Sequence, residues 1–107
     1  MAVTDRKVAR KFLQIESSAN ERGIHFNMSL RRIRALLSTK TCFFTGEVLN
    51  STEGHPNQLT FDRIDNEKGY IDSNVVACSL AFNRIKANLT VNQIKLLWKG
   101  LKKKKLV

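Results

Sequence analysis

The stretch that most limits how this chain can fold is Leu59 to Leu89, LTFDRIDNEKGYIDSNVVACSLAFNRIKANL. Leu59, Phe61 and Ile64 suit a short strand, Asp65 to Gly69 a turn, and Val75 to Ala77 a second strand. Beyond Ser79, a suitable N-cap, Phe82, Ile85 and Leu89 share one helical stripe, and Ser79, Asn83 and Lys86 share the neighbouring one. The apolar stripe is expected to face the core. The polar stripe is expected to face a site.

The chain before this unit reads as two basic helices. Thr4 and Asp5 supply N-cap chemistry, and Val8, Phe12, Ile15 and Ala19 then fall on one narrow stripe, with Arg6, Lys7, Arg10 and Lys11 around the other side. Gly23 suits the left-handed residue that ends a helix. The basic side is either a solvated face or a phosphate-contacting one. A second helix opens at Ser29, because Leu30, Ile33 and Leu37 recur at helical spacing while Arg31, Arg32, Arg34 and Lys40 project elsewhere. His25 lies between the helices as a loop or packing residue.

From Thr41 the run TCFFTGEVLN, with Thr45-Gly46 as a turn, reads as a strand or knuckle, and Asn50 to Gln58 as an exposed loop. Thr90-Val91-Asn92-Gln93 is a capping-box pattern that opens a last helix. Ile94, Leu97, Trp98 and Leu101 are its expected core face, and it runs out into Lys102, Lys103, Lys104 and Lys105. Cations are favourable at a helix C-terminus and attractive to a phosphate backbone.

The sequence has 107 residues, which by size suggests one domain with a modest core. Nineteen Lys and Arg against nine Asp and Glu give a net charge of +10. A polyanion binding such a surface releases condensed counterions, so nucleic acid is the leading partner class. No run of about 18 apolar residues or signal-like segment is present, and the reading is a soluble, cytoplasmic protein with no membrane partner. The two cysteines, Cys42 and Cys78, are too few for a disulfide framework or a four-cysteine zinc site.

Taken in order, TCFFTG, FDRIDNEKGY, and the run from Asn74 through Asn83 to Lys86 form a set. It resembles the HNH endonucleases of the ββα-metal finger class, particularly small bacteriophage members with a DRID…KGY…N…N-x-x-K pattern. The match covers roughly Thr41 to Leu89, and several motifs in the right order are more specific than any one alone. The fold implied is α+β, a ββα-metal finger flanked by N-terminal helices and a C-terminal helix. Residues 1–40 would be a basic helical arm, 41–89 the metal-finger core, and 90–107 the last helix with its Lys-rich tail.

The resemblance also implies roles. Asp62 would be the strand ligand to one divalent cation, with Mg²⁺ or Mn²⁺ suited to its hard oxygens. Asn83 would be the helix ligand where many relatives have a His, and Asn74 the residue that pins the loop. Lys86 and Arg63 would hold phosphate; apart from the resemblance, the charge of Arg84 and of Lys102 to Lys105 is expected to contact the phosphate backbone. In most relatives the residue after the strand Asp is a His that acts as general base; here it is Arg63, which stays protonated and cannot take a proton from water. The base is left open among Asp65, His55 and water activated by the metal alone. Many relatives also carry two C-x-x-C pairs that bind zinc, whereas here each pair keeps one cysteine, Cys42 and Cys78. The expectation is no structural zinc, with Cys42, Phe43, Phe44 and Phe82 packing in its place.

The function expected is a divalent-metal-dependent DNA endonuclease or nickase with low sequence specificity, acting on double-stranded DNA. Arg63 and an Asn in place of a helix His support a rival: an HNH scaffold without turnover that binds nucleic acid or a phage or host protein partner. A basic RNA-binding domain is opposed by the scarcity of exposed aromatic stacking motifs.

Overall fold

The structure is a computed structural model that describes residues 2–107. Helix α1 spans Asp5–Glu21 and α2 Leu30–Leu37, with the short strand β1, Phe26–Asn27, between them. Strands β2 (Leu59–Arg63), β3 (Tyr70–Ile71) and β4 (Val75–Ser79) follow, then α3 (Leu80–Lys86) and α4 (Val91–Lys103). The architecture is α+β, as expected.

Helix starts follow from side-chain capping. Thr4, Ser29, Ser79 and Thr90 each accept a hydrogen bond from the amide three residues on, satisfying an N–H that the helix itself cannot. Thr90 and Gln93 complete the capping box reciprocally, at 3.1 and 2.9 Å. Gly23, at φ +66°, supplies the left-handed residue after α1.

The centre of the fold is the antiparallel pair of β2 and β4, in a register that sets Asp62 opposite Val76 and Phe61 opposite Ala77. Side chains alternate between the two faces of a strand. One face therefore carries Val75 and Ala77, which join Val8, Met28, Ile33 and Leu36 in a core capped by α1 and α2. The other carries Thr60, Asp62, Val76 and Cys78 toward α3. The basic arm is thus packed onto the strands.

A second, parallel pair ties the arm to the loop: β1 pairs with β3, Phe26 opposite Tyr70. The Tyr70 amide donates to the His25 carbonyl at 2.8 Å. Gly69 is forced by this approach, because a Cβ there would lie 2.4 Å from the His25 carbonyl oxygen. His25 therefore contributes through its backbone.

Four sequence expectations are corrected. Leu30 is exposed, and Leu36 joins Ile33 in the core instead. Ile85 is 71% exposed, because α3 turns its polar stripe inward to meet β2. Phe43 also faces out, whereas Phe44 packs on Phe82 at 5.1 Å between ring centroids. Finally, Leu97, Trp98 and Leu101 of α4 do not form a core face: α4 has no buried residue, and Trp98 is 55% exposed. The amphipathic pattern is real, but among the described residues no other element packs closely on α4, and most of its apolar side is exposed. The run from Thr41 is a knuckle closed by a bridge between Thr41 and Val48. No helix among the described residues is long and apolar enough to cross a membrane.

Candidate active site

Asp62 sits near the end of β2 on the face that meets α3 and is only 7% exposed. Lys86, in the last turn of α3, is completely buried, with Nζ 3.0 Å from Asp62 Oδ2. The same ammonium donates to the Arg63 carbonyl at 3.0 Å and lies 5.7 Å from the centre of the Phe44 ring. That oxygen is buried, and the ammonium of Lys86 is its charged neighbour. Burial pushes the Asp62 carboxyl above its ordinary range, and the bond and charge of Lys86 oppose that rise. The phosphate-holding role expected of Lys86 assumed an exposed cation. Here its charge lies inside, against Asp62 and the Arg63 carbonyl.

Asn83, nearly one turn before Lys86, is held by its amide nitrogen. Nδ2 donates to Thr60 Oγ1 at 3.0 Å, and Thr60 in turn donates to the Cys78 carbonyl at 2.8 Å. Fixing the nitrogen on β2 leaves Oδ1 as the free acceptor of the amide.

Asn74, also buried, organises the loop. Its Nδ2 donates to the carbonyls of Asp65 and Gly69 at 2.9 and 3.0 Å, and its Oδ1 accepts from the Asp65 amide at 3.0 Å. The Asn74 carbonyl also accepts from Ile64 at 2.8 Å. Asn74 does not line the cavity described next; it holds the turn that does. Arg63 reinforces that turn, donating through Nη1 to the carbonyls of Asn66 and Lys68 at 2.9 and 3.1 Å, with its guanidinium 5.2 Å from the Tyr70 ring centre. These two bonds leave its Nη2 and Nε donors available.

A cavity of about 270 Å³ opens where β2 ends, and Asp62, Arg63 and Asn83 line it together. Arg22, Phe61, Asn66, Tyr70, Ala87 and Asn88 complete the wall, and none of them was assigned to a site from the sequence. Tyr70 had a visible signal, since it belongs to the KGY motif. Arg22 had none: it lies 48 positions from Tyr70, and only the β1–β3 pairing brings its Nη1 to 3.1 Å from the Tyr70 hydroxyl. Arg84 and Lys102 to Lys105 are exposed and do not line the cavity.

The remaining candidates for a base lie elsewhere. Asp65 Oδ1 accepts from the Glu67 amide at 2.9 Å inside the turn. His55 Nδ1 accepts from the Asn57 amide at 3.0 Å and meets Asn50 Nδ2 at 3.1 Å in the preceding loop. Neither lines the cavity.

Among the described residues there is no group of three or more His, Cys, Asp or Glu that could hold a metal ion. Asp62 and Asn83 both line the cavity, and a carboxylate with an amide oxygen is a donor set that fits a hard cation keeping most of its own water. Cys42 and Cys78 are free and buried behind α3, and Cys42 Sγ accepts from the Ser79 amide at 3.4 Å. Burial raises the Cys42 thiol, but bonds from Thr45, Ser79 and Phe44 bring it down to about 7; burial and the neighbouring Cys42 push Cys78 up to about 12.

No family model matches the chain. It is 32% identical over 90 residues to an uncharacterized 29.0 kDa protein of the dda-modA intergenic region of Enterobacteria phage T4. That match takes in 83% of this chain but 36% of the phage protein, so the chain spans about a third of its relative's length. Among solved structures, the rare-cutting HNH restriction endonuclease PacI is similar with a TM-score of 0.65 and 21% identity, over 91% of this chain and 78% of PacI. The chain has the fold of an HNH endonuclease.

Proposed function

We propose that the chain is a divalent-metal-dependent DNA endonuclease or nickase that hydrolyses phosphodiester bonds with low sequence specificity. One observation carries the reading: the carboxylate residue Asp62 and the amide of Asn83, fixed through Thr60, line one cavity with two guanidinium residues, Arg22 and Arg63. Oxygen donors gathered in a cleft beside cations suit a metal ion and the phosphate it would bind.

Asp62 and Asn83 would hold one Mg²⁺ or Mn²⁺, and no structural zinc is part of the reading. When bound, the ion supplies Lewis-acid polarisation of the phosphoryl oxygen and acidifies water. Arg22 and Arg63 bind the phosphate, and Arg63 stabilises charge that develops on it. Lys86 acts from behind: it fixes the Asp62 carboxylate and offsets part of the cost of burying it. Asn74 keeps Arg63 and Asp62 in place through the turn. With Asp65 and His55 away from the cavity, solvent water takes the proton. Arg84 and Lys102 to Lys105 add sequence-independent attraction to the duplex backbone.

A second reading has its own support. The Lys86–Asp62 pair already gives the carboxylate a counter-charge, which suits a scaffold that binds nucleic acid without turnover. Plasmid nicking with Mg²⁺ or Mn²⁺, comparing the native chain with Asp62→Ala, separates the two. Nicking that depends on the metal and disappears in Asp62→Ala is the expected result. Binding without nicking in both proteins selects the second reading, and equal nicking by both removes Asp62 from the site.

A further inference from the structure

A second recess, distinct from the Asp62 cavity, is lined by cations. This groove of about 610 Å³ runs between α1, the end of α2 and the start of β2, and its polar wall includes Lys7, Arg10, Lys11, Gln14 and Lys40. No Asp or Glu lines it. Among the described residues, Arg10, Lys11 and Lys40 have no carboxylate within ion-pair distance. Like charges gathered without a counter-charge repel one another, and a bound anion relieves that repulsion.

The carbonyl end of α2 borders the groove and would oppose an anion. Two of its carbonyls are covered: Ser38 Oγ donates to the Arg34 carbonyl at 2.9 Å, and Thr39 Oγ1 donates to the Ala35 carbonyl at 3.1 Å. The cations are therefore the stronger field along that wall.

Groove and cavity share a boundary. Lys11, in the groove, holds its ammonium 4.9 Å from the centre of the Phe61 ring, and Phe61 lines the cavity beside Asp62. Burial lowers the Lys11 ammonium from its ordinary value, so an added anion there would favour its charged form. The spacing is fixed by two elements. Along β2 from Leu59 to Asp62 the rise is about 10 Å at roughly 3.3 Å per residue. Along α1 from Lys11 to Arg22 it is about 16 Å at 1.5 Å per residue. At about 3.4 Å of helix axis per nucleotide, the two sites are about three to five nucleotides apart on one strand.

We propose that this groove is a second phosphate subsite, in which Arg10, Lys11 and Lys40 hold the backbone of a nucleic-acid strand about three to five nucleotides from the phosphate in the Asp62 cavity. The proposal rests on the nuclease reading for what occupies the cavity. It turns a diffuse basic face into a track along one edge of α1. Only that edge, which ends at Arg22 by the cavity, is joined to the site; Arg6 and Arg31 point elsewhere and line neither recess.

The test is binding of a fluorescent 20-base-pair duplex across a salt series in EDTA, where metal-dependent cleavage cannot interfere. The native chain is compared with Arg10→Gln/Lys40→Gln and, separately, with Lys40→Glu. Both positions are exposed, so folding should survive, and circular dichroism checks this. The double variant should bind on the order of tenfold more weakly at about 0.1 M salt, and its slope of log K against log salt should fall by about two. Lys40→Glu should also weaken binding. An unchanged slope and affinity in folded variants, or no duplex binding by the native chain, overturns the subsite. Pyrophosphate is the second probe: if it binds as tightly as the duplex and loses that binding in the variant, the groove is a small-anion site and the strand assignment falls. Loss of duplex binding in a protein that never nicks retains the groove while refuting the nuclease. Asp62-dependent nicking with unaltered binding by the double variant refutes the groove alone.

Discussion

Replacing Lys86 by Met tests the centre of the site most directly, because it removes one charge and keeps most of the volume. Lys86 is fully buried and 3.0 Å from Asp62 Oδ2, so its removal leaves a carboxylate that is only 7% exposed without its counter-ion. Removing one partner of a buried pair typically costs about 3–5 kcal/mol. A domain of this size has about 5–15 kcal/mol in total, so Lys86→Met should give up about a fifth of it or more. In a urea titration at pH 7 the midpoint should fall sharply with little change in slope.

The pH dependence fixes the sign. Burial already raises the Asp62 carboxyl above its unfolded value while Lys86 opposes the rise, so losing Lys86 raises it further. A raised carboxyl favours folding below its unfolded pKa and loses that contribution as pH climbs through the folded one. The cost of Lys86→Met should therefore be largest near neutral pH and shrink as the solution is acidified and Asp62 becomes neutral. Asp62→Leu combined with Lys86→Met should recover much of the loss, since an apolar pair can replace a buried ionic one at little cost. A single variant within about 0.5 kcal/mol of the native chain at pH 7, as surface substitutions usually are, would refute the buried pair and restore Lys86 as a free phosphate ligand.

Gly69→Ala should destabilise the chain by about 1–3 kcal/mol or more, because the new Cβ would meet the His25 carbonyl oxygen at 2.4 Å and the His25 Cβ at 2.8 Å, neither of them the end of a flexible side chain. Thermal melting reads this, and an unchanged Tm would mean that the β1–β3 pairing is absent. Asn74→Ala removes three side-chain hydrogen bonds from a buried turn. It should cost at least about 2 kcal/mol in urea and depress nicking together with stability. Trp98→Ala should change the unfolding free energy by less than about 0.5 kcal/mol, as for an exposed residue, whereas a core Trp would cost about 3–5 kcal/mol.

Much of the architecture was legible locally. Thr4, Ser29, Ser79 and Thr90 announced four helix starts because a cap is a contact between residues three apart. Alternation along Leu59 to Arg63 and the helical spacing of Asn83 and Lys86 marked which residues would share a face. The meeting of Asp62 and Asn83 follows from those two periodicities once the strand and helix pack, whereas Arg63, its neighbour on the opposite side of β2, is held by the turn carbonyls of Asn66 and Lys68. The pattern could not say which stripe of α3 turns inward. Phe82, Ile85 and Leu89 looked like the core side, yet the Lys86–Asp62 pair and the Asn83–Thr60 bond lie on the inner one, and Ile85 is left outside.

The sequence by itself determined the four helices and their caps, the β2 and β4 strands, the positive charge and the order of the motif, since each depends on residues within a few positions of one another; β1 and β3 were not visible in it. Tertiary structure alone decided the rest. It buried Lys86 against Asp62, brought Arg22 to Tyr70 through a parallel pair of strands, aligned one edge of α1 with the cavity, and left the apolar side of α4 exposed. All of these depend on which surfaces meet across tens of residues, and hydrophobic periodicity identifies a face without specifying its partner.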